Sequence, residues 1–356
     1  MVTQKDMTMK PIKAAIISLS GPTLTDEEKT LIEQENPFGV SLFDRNIENP
    51  RQLKQLTDSI KTISGRNDII IATDQEGGRV CRLKKPHFRS YLAQAAIGSL
   101  GISYAEQTAQ LHAELIADDL HSVGINCNFA PTLDVATPTL TKALKSRCFS
   151  RNSQIVTRLS QIMIDVYNQK GIVPCIKHLP GHSGAENDPH LQLSAVRHTY
   201  KRYLYPFEQI APHALMAMTA HIVLSEIDNL PITMSKKAIT SLIRGQFNFK
   251  GLLISDALEM KSLSGTLKEK TIACREAGCD AVCYCHGDME NLRIVLQHCG
   301  YLSDKTLEVY KQISDLTASS YRADDIAVKE KEYQRLAAMT QPIIDDYDAV
   351  EVLNQL

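Results

Sequence analysis

The sequence predicts an α/β fold, a (β/α)8 barrel of the TIM type, from three observations. Eight short apolar runs recur along the chain, at 14–20, 39–43, 68–73, 126–131, 172–177, 214–220, 251–255 and 281–285. Stretches with apolar residues at helical spacing lie between them. From the third run onward, polar and titratable residues follow each run's carboxyl end. Strands alternating with helices build a parallel sheet, and eight such units suit a closed barrel whose chemistry gathers at the carboxyl end. A doubly wound open sheet shares the alternation, because periodicity alone does not show closure.

The first run, Ala14-Ala15-Ile16-Ile17, follows Lys10 and Lys13. It is short and lacks a small-x-small cleavage pattern, so it reads as a buried strand rather than a signal peptide. Thr25-Asp26-Glu27-Glu28 opens a helix, with a capping hydroxyl and acidic groups where the helix dipole favours them. Leu53, Leu56, Ile60 and Ile63 share one helical face, as do Leu111, Leu115, Ile116 and Leu120, and Leu159, Ile162, Met163 and Val166. Ser235 stands as a cap before Lys236-Lys237-Ala238-Ile239. Beyond the eighth run, 303–315 and 327–339 read as terminal helices. No Ser/Gly-rich linker, low-complexity tract or repeat interrupts the pattern. One domain over 1–356 is therefore expected, with strand 1 near 14–20, strand 8 near 281–285 and extra helices after 300.

The bulk numbers exclude several classes. A chain of 356 residues that is 43% hydrophobic can bury a sizeable core. With 39 Lys plus Arg against 41 Asp plus Glu, the formal charge is −2, which argues against a nucleic-acid partner bound through phosphates. No apolar stretch approaches the roughly 20 residues of a membrane helix. The nine cysteines are odd in number and mostly lie in apolar runs, as Cys127, Cys175 and Cys283 do. Free thiols in a reducing cytoplasm fit better than a disulfide framework.

The strand ends carry the candidate chemistry. The third run leads into Asp74-Gln75-Glu76-Gly77-Gly78-Arg79, and the fourth into a loop with Asp134 and Arg147. The fifth leads into Lys177-His178-Leu179-Pro180-Gly181-His182, then Asp188-Pro189-His190. The sixth ends at His221, the seventh at Asp256 and the eighth at His286. In a barrel these ends converge on one bowl. Carboxylates, cations and histidines around a bowl with no Gly-rich phosphate loop suit a polyol. Sugar hydrolysis needs a carboxylate beneath the anomeric carbon and a proton donor above it. His190 is a candidate donor, because an imidazole titrates near working pH. Asp188 shares its face in an extended segment and is placed to orient and charge-stabilise it.

Each choice has a plainer rival. Asp256 suits a helix cap; Lys177 and His178 suit core-edge residues bonded to loop carbonyls; Arg79 and Arg82 suit solvated loop charges. His178, His182 and His190 suit metal ligands, although Pro180-Gly181 breaks the helix of a two-histidine zinc motif. Cys279, Cys283, Cys285 and His286 offer ligand types too, but 283 and 285 alternate within an apolar run, which favours core or pocket wall.

"TDQEGGRVCRL" (73–83), "KHLPGHSGAENDPH" (177–190) and "GLLISDALEM" (251–260) resemble the signature blocks of glycoside hydrolase family 3, in its branch of bacterial single-domain β-N-acetylglucosaminidases of the cell-wall-recycling type. "GVSLFDRN" (39–46), "NFAPTLDV" (128–135), "SRCFS" (146–150), "MTAHIVLSEID" (218–228) and "EAGCDAV" (276–282) are similar as well and follow the family's order. The resemblance implies that Asp256 is the nucleophile, that His190 with Asp188 is the acid/base pair, and that Asp74, Arg82, Arg147, Lys177 and His178 bind substrate. It implies retention of the β configuration, a saccharide as partner, possible muropeptide substrates and no metal or organic cofactor. The chain departs from the family pattern at Leu179, Ser183-Gly184, Pro189, Ser194 and Ala257. These changes touch loop behaviour and leaving-group preference, not the reaction class. Three alternatives stay open. A neutral histidine base repels an anionic acceptor less than glutamate, which permits an N-acetylglucosaminide phosphorylase. A non-catalytic sugar-binding barrel and a metal-assisted hydrolase of another bond are the others.

Overall fold

The computed structural model describes residues 10–138, 140–185, 192–196, 202–318 and 325–340. Its centre is a closed barrel of eight parallel strands: β1 (Lys13–Ser18), β2 (Pro37–Leu42), β3 (Ile70–Thr73), β4 (Cys127–Asn128), β5 (Val173–Leu179), β6 (Met216–Thr219), β7 (Leu252–Ala257) and β8 (Ala281–Cys283). Each strand pairs with its neighbours in sequence. Ala15 beside Val282 and Ile16 beside Cys283 close the ring. All eight apolar runs thus become barrel strands, and the open-sheet alternative falls.

The runs are apolar throughout because both strand faces are covered. Ala14, Ile16, Ile70, Ala72, Met216, Met218, Leu252 and Ile254 pack together in the barrel interior. Their neighbours Ala15, Ile17, Ile71, Ala217 and Leu253 belong to the layer shared with the helices. β4 is shorter than the run at 126–131. Its continuation reaches Pro131, which has no N–H to offer a ladder.

The expected caps are present. Thr25 Oγ1 accepts the Glu28 N–H at 3.2 Å, and the Glu28 carboxylate accepts the Thr25 N–H at 2.8 Å, which starts helix Asp26–Glu35. Ser235 Oγ accepts the Ala238 N–H at 3.0 Å. The two terminal helices are Asp304–Thr317 and Ile326–Ala337. Leu302 and, from the first helix, Tyr310 and Ile313 pack into the interior cluster; Tyr310 meets Phe38 edge-on at 5.4 Å and donates to the Asp68 carbonyl at 2.9 Å. Asp68 precedes β3, so this helix stoppers the amino-terminal end of the barrel. The second terminal helix packs on helix Ile102–Ser122.

Two small pairings were not expected from the sequence. Gln75–Gly77 and Val80–Cys81 form an antiparallel hairpin directly after β3, and Ser194–Val196 pairs in parallel with Ile222–Leu224. All nine cysteines are free thiols, and among the described residues no helix is long and apolar enough to cross a membrane.

Candidate active site

A cavity opens at the carboxyl ends of the strands. Its lining includes Asp74, Arg82, Arg147, Lys177, His178, His182 and Asp256, with Phe43, Phe129, Met218, Met260, Cys283 and Cys285 as apolar or sulfur-bearing wall. Seven polar residues singled out from the sequence therefore meet in one place, although they come from distant parts of the chain.

One wall is an ion-pair network. Lys177 Nζ lies 2.8 Å from Asp74 and 2.6 Å from Glu76. Arg147 grips Glu76 with two nitrogens, at 2.9 and 2.7 Å, and Arg82 stands 3.4 Å from Asp74. Lys177 and Glu76 are almost fully buried, at 2% and 1% side-chain exposure, whereas Asp74 keeps 18%. The exposed carboxylate is thus backed by a buried cation, which a second carboxylate and an arginine balance in turn. Burial pushes the Asp74 carboxyl up, but the charges of Lys177 and Arg82 outweigh it and hold the group below its ordinary value. Burial likewise opposes ionisation of Glu76, and Arg147 and Lys177 overcome it, leaving that carboxyl far below the usual range. Lys177 is raised in spite of burial, because two carboxylates face it. The network is fully ionised at neutral pH and presents fixed hydrogen-bonding groups that need no reorganisation to meet a hydroxyl.

A second wall is built on Asp134. His178 Nδ1 lies 2.8 Å from Asp134 Oδ2, and the His182 backbone N–H donates to Asp134 Oδ1 at 2.5 Å. Arg147 stands 3.3 Å from His178 Nε2. An arginine only donates, so Nε2 accepts and Nδ1 carries the proton toward Asp134. Burial lowers the His178 imidazole to about 4, against the pull of Asp134, so the ring is neutral. Asp134 itself stays ionised, because bonds from His178 and His182 overcome its burial. Gly181 permits the turn between the rings: its φ is 114°, and a Cβ there would stand 2.9 Å from Phe207 Cε2. Asp134, His178 and His182 can bring one ligand atom each within 4.8 Å of one another. The nearer histidine already spends its Nδ1 on Asp134, and the Arg147 guanidinium sits where a cation's charge would be opposed. The donor set reads better as a hydrogen-bonded clamp than as a metal centre.

Asp256 lies near the end of β7, half-buried, and accepts the Ala257 N–H at 2.8 Å. It is not a helix cap; the next helix, Leu267–Ala277, is capped by Thr266. His221 supports this strand end from behind. Its Nε2 lies 3.0 Å from the Ala257 carbonyl and its Nδ1 2.7 Å from Thr233 Oγ1. Glu259 accepts the Cys285 N–H at 3.1 Å; burial raises its carboxyl to about 7.

Several expectations change. His221 and His286 end their strands without lining the cavity. Arg82 is 6% exposed and Arg79 bonds Ser146 Oγ at 3.3 Å and the Ala143 carbonyl, so neither is a solvated loop charge. Asp188 and His190 lie outside the described residues. Glu76 and Asp134 went unassigned in the sequence, although both are organising anions here. Their signal was only position, each following a strand end.

Residues 3–314 match the glycosyl hydrolase family 3 N terminal domain. The chain is 33% identical over 296 residues to a beta-hexosaminidase of Alkalilimnicola ehrlichii, covering 80% of this chain and 83% of that protein. It is 34% identical over 274 residues to a beta-hexosaminidase of Neisseria gonorrhoeae, covering 74% and 75%. The crystal structure of NagZ from Neisseria gonorrhoeae in complex with N-trifluoroacetyl-D-glucosamine superposes with a TM-score of 0.79 at 28% identity, over 93% of this chain and 97% of that one.

Proposed function

The chain belongs to glycosyl hydrolase family 3, and on that premise we propose that it removes terminal, non-reducing β-linked N-acetylglucosamine with retention, using Asp256 as nucleophile and His190, oriented by Asp188, as acid and base. The observation that carries this reading is that Asp256 opens to the same cavity as the Asp74–Lys177–Glu76–Arg147 network. Asp74, the exposed member, accepts bonds from sugar hydroxyls; Lys177, Arg147, Arg82 and His178 hold the ring's other oxygens.

In the proposed cycle the Asp256 carboxylate bonds to the anomeric carbon as the glycosidic C–O bond breaks, and the His190 imidazolium gives its proton to the leaving oxygen. Water then displaces Asp256 while neutral His190 takes the proton. Two inversions keep the β configuration. The developing oxocarbenium is a cation, and the charges around it suit that. Four carboxylates (Asp74, Glu76, Asp134, Asp256) stand against three cations (Arg82, Arg147, Lys177) among the described residues, an excess of one negative charge with Asp256 ionised. Muropeptides in peptidoglycan recycling are the proposed natural substrates, and the cytoplasm the proposed setting; nine free thiols support a reducing compartment.

The test compares aryl N-acetylglucosaminide with the matched aryl glucoside, for the wild type and Asp256→Asn. Turnover of the amino sugar, a β first-formed product by NMR and its loss in the variant are expected. Wild-type-like rates in Asp256→Asn refute the nucleophile. Sugar 1-phosphate as the main product in phosphate buffer turns the reading into a phosphorylase.

A further inference from the structure

Cys283 and Cys285 are the one pair of thiols in mutual contact among the described residues, with their sulfurs 3.6 Å apart. Both line the cavity that holds Asp74 and Asp256. The backbone that carries them is held from several sides. The Cys283 N–H donates to Ser255 Oγ at 2.9 Å, the Cys285 N–H donates to Glu259 at 3.1 Å, and the Cys285 carbonyl accepts from Arg45 at 2.5 Å. The proposed glycosidase cycle uses neither thiol.

We infer that Cys283 and Cys285 form a chelating dithiol on the cavity wall, a site for a thiophilic centre such as trivalent arsenic, and that its occupation excludes the sugar. The sulfur separation suits a chelate. A single soft centre held by two sulfurs at about 2.3 Å each, near the tetrahedral angle, spans roughly 3.8 Å between sulfurs. The observed 3.6 Å needs only a small rotamer adjustment to reach that bite. Chelation therefore fits the sulfur positions as they stand.

Both thiols are held in the protonated form. The Cys285 thiol is raised well above its ordinary value by its bond to Cys283 and by burial. The bond to Cys285 is the largest single influence on the Cys283 thiol and lowers it, but burial together with the charges of Glu259, Asp256 and Asp74 raises it on balance. Reagents that need a thiolate therefore react slowly here. An organoarsenic(III) oxide brings its own proton acceptor, the oxide oxygen. Its arsenic forms two As–S bonds, its oxygen leaves as water with both thiol protons, and no atom changes oxidation state.

The test uses phenylarsine oxide on the reduced full-length protein. Intact mass is expected to show one phenylarsine gained and one water lost, with release by a dithiol but not by a monothiol. N-acetylglucosamine is expected to slow the adduct, and the adduct to abolish turnover of the aryl N-acetylglucosaminide. Cys283→Ala and Cys285→Ala should each lose the monothiol-resistant adduct. Absence of the adduct in the wild type, or its persistence in either variant, overturns the chelate. Adduct formation at an unchanged rate in saturating N-acetylglucosamine overturns its placement against the sugar. Exclusion of the sugar rests on the proposed function, but the mass readout does not, so a failed hydrolase reading and a failed chelate are distinguishable.

Discussion

The Tyr333 hydroxyl stands 2.8 Å from His112 Nδ1, and this contact ties a helix beyond the family-matching region to the ion-pair network of the cavity wall. His112 Nε2 lies 2.9 Å from the Glu76 carbonyl, which only accepts, so Nε2 donates and Nδ1 accepts from Tyr333. The same hydroxyl accepts the Leu92 N–H at 2.9 Å. Glu76, at the far end of the relay, turns its carboxylate to Arg147 and Lys177.

Tyr333→Phe should therefore act on both stability and binding. It leaves the Leu92 N–H and His112 Nδ1 without their partner, at a cost of about 1–3 kcal/mol for a buried unsatisfied group. Denaturant unfolding should report that loss. Kinetics should show a raised KM with a smaller change in kcat, because the relay positions a binding wall rather than the nucleophile. Unchanged stability and KM would show that the helix merely covers the barrel.

Lys177→Met should be the most damaging change in the network. Asp74 and Glu76 would be left facing each other with the cation between them gone. Breaking a buried ion pair from one side costs about 3–5 kcal/mol. Equilibrium unfolding should show a loss of that order, and N-acetylglucosamine binding should fall. Lys177→Arg should not restore wild-type behaviour, since one compact ammonium meets both Asp74 and Glu76 and a planar guanidinium does not reproduce that geometry.

Stability should respond to pH in two opposed ways. His112 and His178 are each lowered by burial from 6.5 to about 4. The unfolded chain takes up their protons first, so their contribution is whole above pH 6.5 and is lost as pH falls toward 4. Glu259 runs the other way. Its carboxyl is raised from 4.5 to about 7, so the stability it lends is present below 4.5 and lost as pH rises through 7. Glu259→Gln should flatten the decline between those two values, and His112→Asn should flatten the acid limb. Denaturation midpoints across pH 4 to 8 measure both slopes, and parallel curves for variant and wild type would refute the assignments.

The sequence by itself determined the eight strands and the neighbourhood of the site; the pairing of Ala15 with Val282 and Ile16 with Cys283 decided that they close into a barrel. Strands covered on both faces must be apolar along their length, and eight such runs, from Ala14 to Cys283, could be read without coordinates. The same alternation placed Asp74, Lys177, His178 and Asp256 at one end. What tertiary structure alone decided was partnership. Glu76 finds Arg147 across 71 positions, His178 finds Asp134 across 44, and Tyr333 finds His112 across 221. Local periodicity reports which face of an element is buried. It carries no record of which charge a distant turn will bring beside another, because that follows from the closure of the barrel.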